Sequence, residues 1–285
     1  MKNKGIFMFE KFYEKYTSEE QEALVLIRKV LGAGAFYNDW CMSAGTLGMV
    51  FCADGRAEIR RGRLEWPVTD KERNSEKGWK RFQVGQIYRL KVRRLLDEFV
   101  PDHTSPEQFN SWAVIEVLEQ SVSCSPLEAV WMEYQKPVTI EDEMLGTLKL
   151  NRDFEHLDGK VPWNGEEVSL FLEIDLEDET TWDTACRIAH KLIADSESWD
   201  KSMREFAAKE LTNLANEWQS SDDENENTAS ISEEAFVGRI TLSELSLTYK
   251  GGFTAYYDDD ELFWGHAIEV YGSLKNGIKS ANIVG

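Results

Sequence analysis

The chain has 285 residues, 42% hydrophobic and 12% aromatic, with 32 Lys and Arg against 52 Asp and Glu and a formal net charge of −20 at pH 7. That much apolar surface suffices for packed cores, so global disorder is excluded, and the length fits about two domains. No apolar run reaches the roughly 18 residues of a membrane-spanning helix. The apolar stretch near Met1 is too short for a signal peptide, so no membrane role is expected.

The charge is divided unevenly. Residues 1–100 hold 19 Lys and Arg against 14 Asp and Glu, whereas 101–285 hold 13 against 38. This asymmetry supports two domains, divided near Pro137 into 1–136 and 137–285. The field of the acidic half opposes any approaching phosphate, so only the first half is suited to a polyanion.

In chain order, the aromatic-rich segment 6–16 predicts a short helix. Thr17 with Glu20, and Ser18 with Gln21, match capping boxes, but Ala23–Val30 reads as a strand because the region beyond is β in character. Gly32-Ala33-Gly34 reads as a turn or bulge. Gly45–Cys52, Glu58–Pro67, Gln86–Leu95 and Trp112–Glu119 follow as strands, and 97–110 as a loop. Together they predict a small OB-like β barrel. Ser125-Pro126 opens a helix that ends near Gln135. Beyond Pro137 the pattern changes: strands at Leu145–Asn151 and Glu167–Asp175, helices over 182–195 and 199–218, an exposed acidic loop at 220–230, and a helical turn near Ser232. Strands at Leu242–Tyr249, Phe253–Asp258, Phe263–Tyr271 and Ile278–Val284 complete the chain. The class is α+β, with an antiparallel sheet and two helices on one of its faces.

Chemistry-bearing motifs are few. There is no GxxxxGK[ST] loop, GxSxG elbow or HExxH helix, and the four histidines are far apart. The scattered Cys41, Cys52, Cys124 and Cys186 form no CxxC and read as reduced thiols of a cytoplasmic protein. No catalytic residue, cofactor or metal is expected. His266 shares a predicted strand face with Trp264, Ile268 and Val270, just after Asp258-Asp259-Asp260-Glu261. It reads either as a core histidine or, with Asp258 and Asp260, as the centre of a hydrolase or metal-dependent enzyme. His190 reads as a surface residue beside Lys191 and Asp195. The basic strands offer another alternative. Arg61, Arg63, Arg89, Lys91 and Arg93, interleaved with Trp66 and Tyr88, match the cations and stacking rings of single-strand binders. The competing reading is a cationic face that docks on the acidic half.

Asp258–Val270, read as DDDELFWGHAIEV, and the closing GIKSANIVG resemble the end of a bacterial domain of unknown function, family 2262. Leu145–Asn151, Val161-Pro162-Trp163 and Phe171-Leu172-Glu173 resemble its opening. The stretches Leu64–Val68 and Gly85–Arg93 resemble the small β domain that precedes it in family members. The resemblance implies a fold and a bacterial origin but no chemistry. Taken together, these observations predict a cytoplasmic binding or interaction protein with a protein partner, one possibility being an immunity-type inhibitor of a basic protein. Trp163, Trp264 and His266 are the candidate binding residues. The full-length chain is expected to bind single-stranded nucleic acid weakly or not at all.

Overall fold

A computed structural model describes residues 4–36, 39–75, 79–100, 110–176, 178–220 and 230–285. The chain divides into two compact units, 1–136 and 137–285. Helix accounts for 27% and strand for 45%, in two sheets. Counted by unit, the first holds 20 Lys and Arg against 20 Asp and Glu, the second 12 against 32. The net charge of −20 therefore resides wholly in the second.

The first unit opens with helix α1 (Lys4–Tyr13), followed by strands β1 (Gln21–Phe36), β2 (Asp39–Phe51), β3 (Ala57–Glu58) and β4 (Gly62–Val68). After the four-residue helix α2 (Asp70–Arg73) come β5 (Ile87–Arg94), β6 (Ser111–Glu119) and helix α3 (Ser125–Tyr134). The sheet order is β1-β5-β6-β4-β2-β3, and β1 also pairs with β2, which makes the pairing ring-like. Among the described residues only β4–β6 runs parallel in this sheet. Alternation decides what lies inside: Tyr88, Leu90 and Val92 of β5 join Val25, Met42, Leu64 and Trp66 in one buried cluster. Each such side chain contributes roughly 1.5–3 kcal/mol by leaving water. The strands' outer surface is covered twice. Phe12 and Tyr16 pack on Leu95 and Ala113, and Leu127 of α3 packs on Leu26, Leu47 and Ile87.

Thr17 and Ser18 start no helix, because β1 begins at Gln21. Ala23, Val25 and Ile27 face inward while Leu24 and Leu26 lie under α3. Both faces are apolar, which hides the strand period. The capping box that does form joins Thr69 and Glu72 at α2. Gly32 takes φ +102° at a bulge in β1, and the strand continues past it. The expected strand 58–67 is split into β3 and β4, and α3 opens at Ser125 as expected, with Cys124 in the N-cap position and no side-chain capping bond.

The second unit runs β7 (Thr139–Asp142), β8 (Gly146–Asn151), β9 (His156–Trp163) and β10 (Glu166–Glu173). Helices α4 (Thr180–Ile193), α5 (Ser196–Ser220) and α6 (Glu233–Arg239) follow, then β11 (Thr241–Thr248), β12 (Gly252–Asp258), β13 (Ala267–Ser273) and β14 (Gly277–Val284). The eight strands lie in reverse order from β14 to β7. The expected antiparallel pairing holds everywhere except at β10–β11, which is parallel. Val168, Leu170 and Leu172 of β10, Leu245 of β11 and Val270 of β13 share one buried cluster with Ala185 and Ala189 of α4, Met203 and Ala207 of α5, and Phe236 of α6.

Strands β7 and β9 were not expected. The Gly159 and Pro162 of β9 resemble loop residues, but Gly159 packs closely on Leu148: a Cβ there would lie 2.5 Å from Leu148 Cδ2, so the leucine would have to shift. The strand expected from Phe263 begins only at Ala267. The acidic 221–229 segment, within the expected loop, lies outside the described residues.

Candidate functional site

The basic strand faces its own acids. Arg89 pairs with Glu22 at 2.6 Å and Arg93 with Glu20 at 2.6 Å. Lys91 lies 3.7 Å from Glu20 and 3.6 Å from Glu116. Arg63 pairs with Glu65 at 2.9 Å and donates to Ser43 Oγ, and Arg61 also has partners. Trp66 and Tyr88 are each only 2% exposed. Their rings are edge-on to Phe82, at centroid distances of 5.0 Å in both pairs. They therefore offer no face to a base, which corrects the stacking role expected of them. Parity carried that signal, since Trp66 alternates in step with Leu64 and Val68, and Tyr88 with Leu90 and Val92.

The turn before β13 separates His266 from the nearby acids. Asp259 is buried and accepts N–H groups from Glu261, Phe263 and Gly265, at 3.2, 2.6 and 3.3 Å. These bonds curl 259–265 into a turn in which Asp260, Glu261 and Trp264 all have positive φ. The alternation expected of Trp264 and His266 as strand residues is thereby lost. Asp260 is held by Arg239 at 2.8 Å and Asp258 is exposed. Among the described residues no hydrogen bond or ion pair joins either carboxylate to His266. The imidazole instead stands edge-on to Trp218 at 5.7 Å, and Trp264, 58% exposed, lies 4.7 Å from Trp218.

Trp163 is a core residue. Its Nε1 donates to Asp200 Oδ1 at 3.1 Å, where the Tyr257 hydroxyl also donates at 3.1 Å. Arg204 Nε donates to Asp200 Oδ2 at 2.7 Å, and its Nη1 reaches the carbonyls of Val237 and Ile240. Burial first, then the Asp200 carboxylate, hold the Tyr257 phenol well above its ordinary pKa, so it remains a donor. His190 is also placed differently from expectation, with Nε2 lying 2.9 Å from Asp142 Oδ1. Burial pushes the Cys186 thiol up to about 11 and the Cys41 thiol up to about 12, so neither is a ready thiolate. Among the described residues no three His, Cys, Asp or Glu are grouped to hold a metal, and no helix is long and apolar enough to cross a membrane.

The feature missed in the sequence lies on the sheet of the second unit. The residues alternating with its buried set form a cross-strand row: Asn282, Glu269, Tyr256, Glu244, Ser169 and Lys160. Neighbours in such a row stand about 4.5–5.5 Å apart. The Tyr256 hydroxyl donates to Glu269 Oε2 at 3.2 Å. Burial raises the Glu244 carboxyl above its ordinary pKa, against the opposing pull of His156. An adjacent row carries Tyr271, Phe171 and Asp158. His156 lies 5.9 Å from both Phe171 and Phe154, and Phe154 is 69% exposed. The arrangement combines carboxylates, phenols and rings, which suits cationic side chains. These residues come from separate strands, and only the pairing register assembles them.

The family model described as “Uncharacterized protein conserved in bacteria (DUF2262)” matches residues 142–283. The model described as “Domain of unknown function (DUF7021)” matches 8–134. No curated protein matches the chain. One similar solved structure is described as “Molecular basis for abrogation of activation of pro-inflammatory cytokines”. It is 7% identical at TM-score 0.22, over 60% of this chain and 86% of the other. A second, “Crystal structure of Ifi202 HINa domain in complex with 20bp dsDNA”, is 8% identical at TM-score 0.22, over 57% and 79%. Likenesses this distant carry no argument about fold or function.

Proposed function

We propose that this chain, whose residues 142–283 match the bacterial family DUF2262, is a cytoplasmic binding protein for a basic protein partner. In this reading the first unit is an OB-like barrel, supported by its ring-like pairing and parallel β4–β6 pair. The second is a sandwich with its helices on one sheet face, supported by the cluster they share with the strands. The other face is the docking surface. The observation that carries the proposal is the Glu269–Tyr256–Glu244 row in a unit that holds the entire net charge of −20. Tyrosine with carboxylates suits the Arg and Lys of a partner, and the wider field speeds encounter. An immunity-type inhibitor of a basic toxin fits this description. Cysteines without disulfides fit a reducing compartment.

The test is calorimetric titration of the full chain with lysozyme as a basic probe. Glu244→Gln/Glu269→Gln is compared with Glu205→Gln/Glu210→Gln, an equal change of charge at exposed positions on α5. The sheet-face pair should weaken binding about tenfold, or about 1.4 kcal/mol, and the helix pair less than about twofold. Equal losses would show that charge alone acts and would sink the assignment of the face.

A further inference from the structure

We infer that the Glu269–Tyr256–Glu244 row is an arginine-selective subsite, so that the segment docking on this sheet face presents arginine rather than lysine. The inference rests on the docking face proposed above and names the side chain that the face reads. Register places Tyr256 between the two carboxylates, opposite Glu244 on β11 and Glu269 on β13. With about 5 Å between neighbouring Cβ atoms, those of Glu244 and Glu269 stand about 10 Å apart with the phenol ring between them.

The row lacks a counter-charge of its own. The Tyr256 hydroxyl donates to Glu269 Oε2 at 3.2 Å. Burial first, then Glu269 and Glu244, hold that phenol above its ordinary pKa, so it stays a donor and both carboxylates act on it. Among the described residues neither carboxylate is ion-paired with a Lys or Arg. Lys160, in the same row, pairs with Glu167 at 2.6 Å. In the adjacent row Lys279 Nζ stands 5.6 Å from the centre of the Tyr271 ring. A ring of this face thus accepts a cation while the two carboxylates remain unpaired.

Two carboxylates on either side of a ring suit a guanidinium better than an ammonium. The guanidinium is a planar fork of five donors, able to lie on the phenol and donate from opposite edges, whereas an ammonium is a point charge that serves one carboxylate well. Glu244 is half-buried, and burial raises its carboxyl. A weakly hydrated guanidinium loses less than an ammonium on entering such surroundings. Other ligands fit worse: an anion would meet two like charges, and among the described residues no three His, Cys, Asp or Glu are grouped for a metal.

The test is calorimetry on the full chain with three Gly-Ser peptides of equal length that carry arginine, lysine or the neutral citrulline at the same positions. The arginine peptide should bind about tenfold more tightly than the lysine peptide, and the citrulline peptide should not bind measurably. Glu244→Gln/Glu269→Gln should abolish the preference for arginine, whereas Glu205→Gln/Glu210→Gln should preserve it. Tyr256→Leu, folded by circular dichroism, should lower the preference, and Tyr256→Phe, which retains the ring, should keep most of it. Equal binding of the arginine and lysine peptides, lost for both in Glu244→Gln/Glu269→Gln, would overturn arginine selectivity and leave the docking face standing. A preference that survives in Glu244→Gln/Glu269→Gln would overturn the row as its source. Failure of every peptide to bind would overturn the subsite, and the lysozyme titration would then decide the face separately.

Discussion

Asp200→Ala should destabilise the second unit by about 4 kcal/mol. Asp200 is 7% exposed, and its carboxylate takes Trp163, Tyr257 and Arg204 together. Removing it leaves a largely buried guanidinium without its counter-charge, which costs about 3–5 kcal/mol. Two donors also lose their acceptor, at about 1–3 kcal/mol each, although Tyr257 and Trp163 can relax, so the costs do not add fully. For a unit of this size the loss corresponds to a drop in Tm of about 8–16 °C. Native-state hydrogen exchange at the Leu247 and Ala255 amides of the full chain would report the loss within the correct unit. The decisive comparison is Asp200→Leu with Arg204→Met. The double variant should cost at least about 1 kcal/mol less than the two single changes summed, because an apolar pair leaves no charge uncompensated, although Trp163 and Tyr257 still lose their acceptor. If Asp200→Ala costs less than about 1 kcal/mol, or if the two changes simply add, the network does not bear the load assigned to it.

Arg28→Met should raise the urea midpoint by the equivalent of about 1 kcal/mol, because Arg28 is 9% exposed and its Nε and Nη1 lack acceptors; a lower midpoint would contradict this. Burial raises the Asp142 carboxyl, but N–H bonds from Leu145 and Met144, together with His190, outweigh it and hold the group below its ordinary 3.8. Its contribution is therefore full above the unfolded value and is lost as pH falls below 3.8 towards the folded value. Asp142→Asn should flatten urea midpoints measured between about pH 5 and pH 3, and an unchanged slope would refute the assignment. Iodoacetamide at about pH 8 should label exposed Cys52 before Cys41, whose thiol is pushed up to about 12, and Cys186, at about 11. Mass spectrometry reads that order directly.

Elements with one apolar and one polar face were legible in the sequence, as in β5, where Arg89 and Lys91 alternate with Leu90 and Val92. Those apolar on both faces were ambiguous, as at Leu24–Ile27. Those punctuated by Gly and Pro were missed, as in β9. The turn at 259–265 was read as the start of a strand because its ordering comes from Asp259, whose short side chain reaches three backbone donors. The candidate sites were harder still. Glu244, Tyr256 and Glu269 become neighbours only through strand register, and Asp142 meets His190 across 48 positions. Neither proximity has a local signature.

The parallel pairing of β10 and β11 has a consequence for how the second unit folds. Each four-strand meander closes through local contacts, whereas the seam joins strands separated by all three helices. Non-local closure of this kind is slow, because the loop entropy must be lost before any contact repays it. Until then β10 and β11 are both open edges, and Val168-Ser169-Leu170-Phe171-Leu172 is a segment that another chain could pair with. Glu166 and Glu167 precede that segment, Glu173 and Asp175 follow it, and Glu244 lies opposite Ser169. Carboxylates placed around an apolar strand in this way are suited to oppose its pairing with another chain. Part of the negative charge thus sits where it would counter aggregation of the nascent protein, whatever the mature surface goes on to bind.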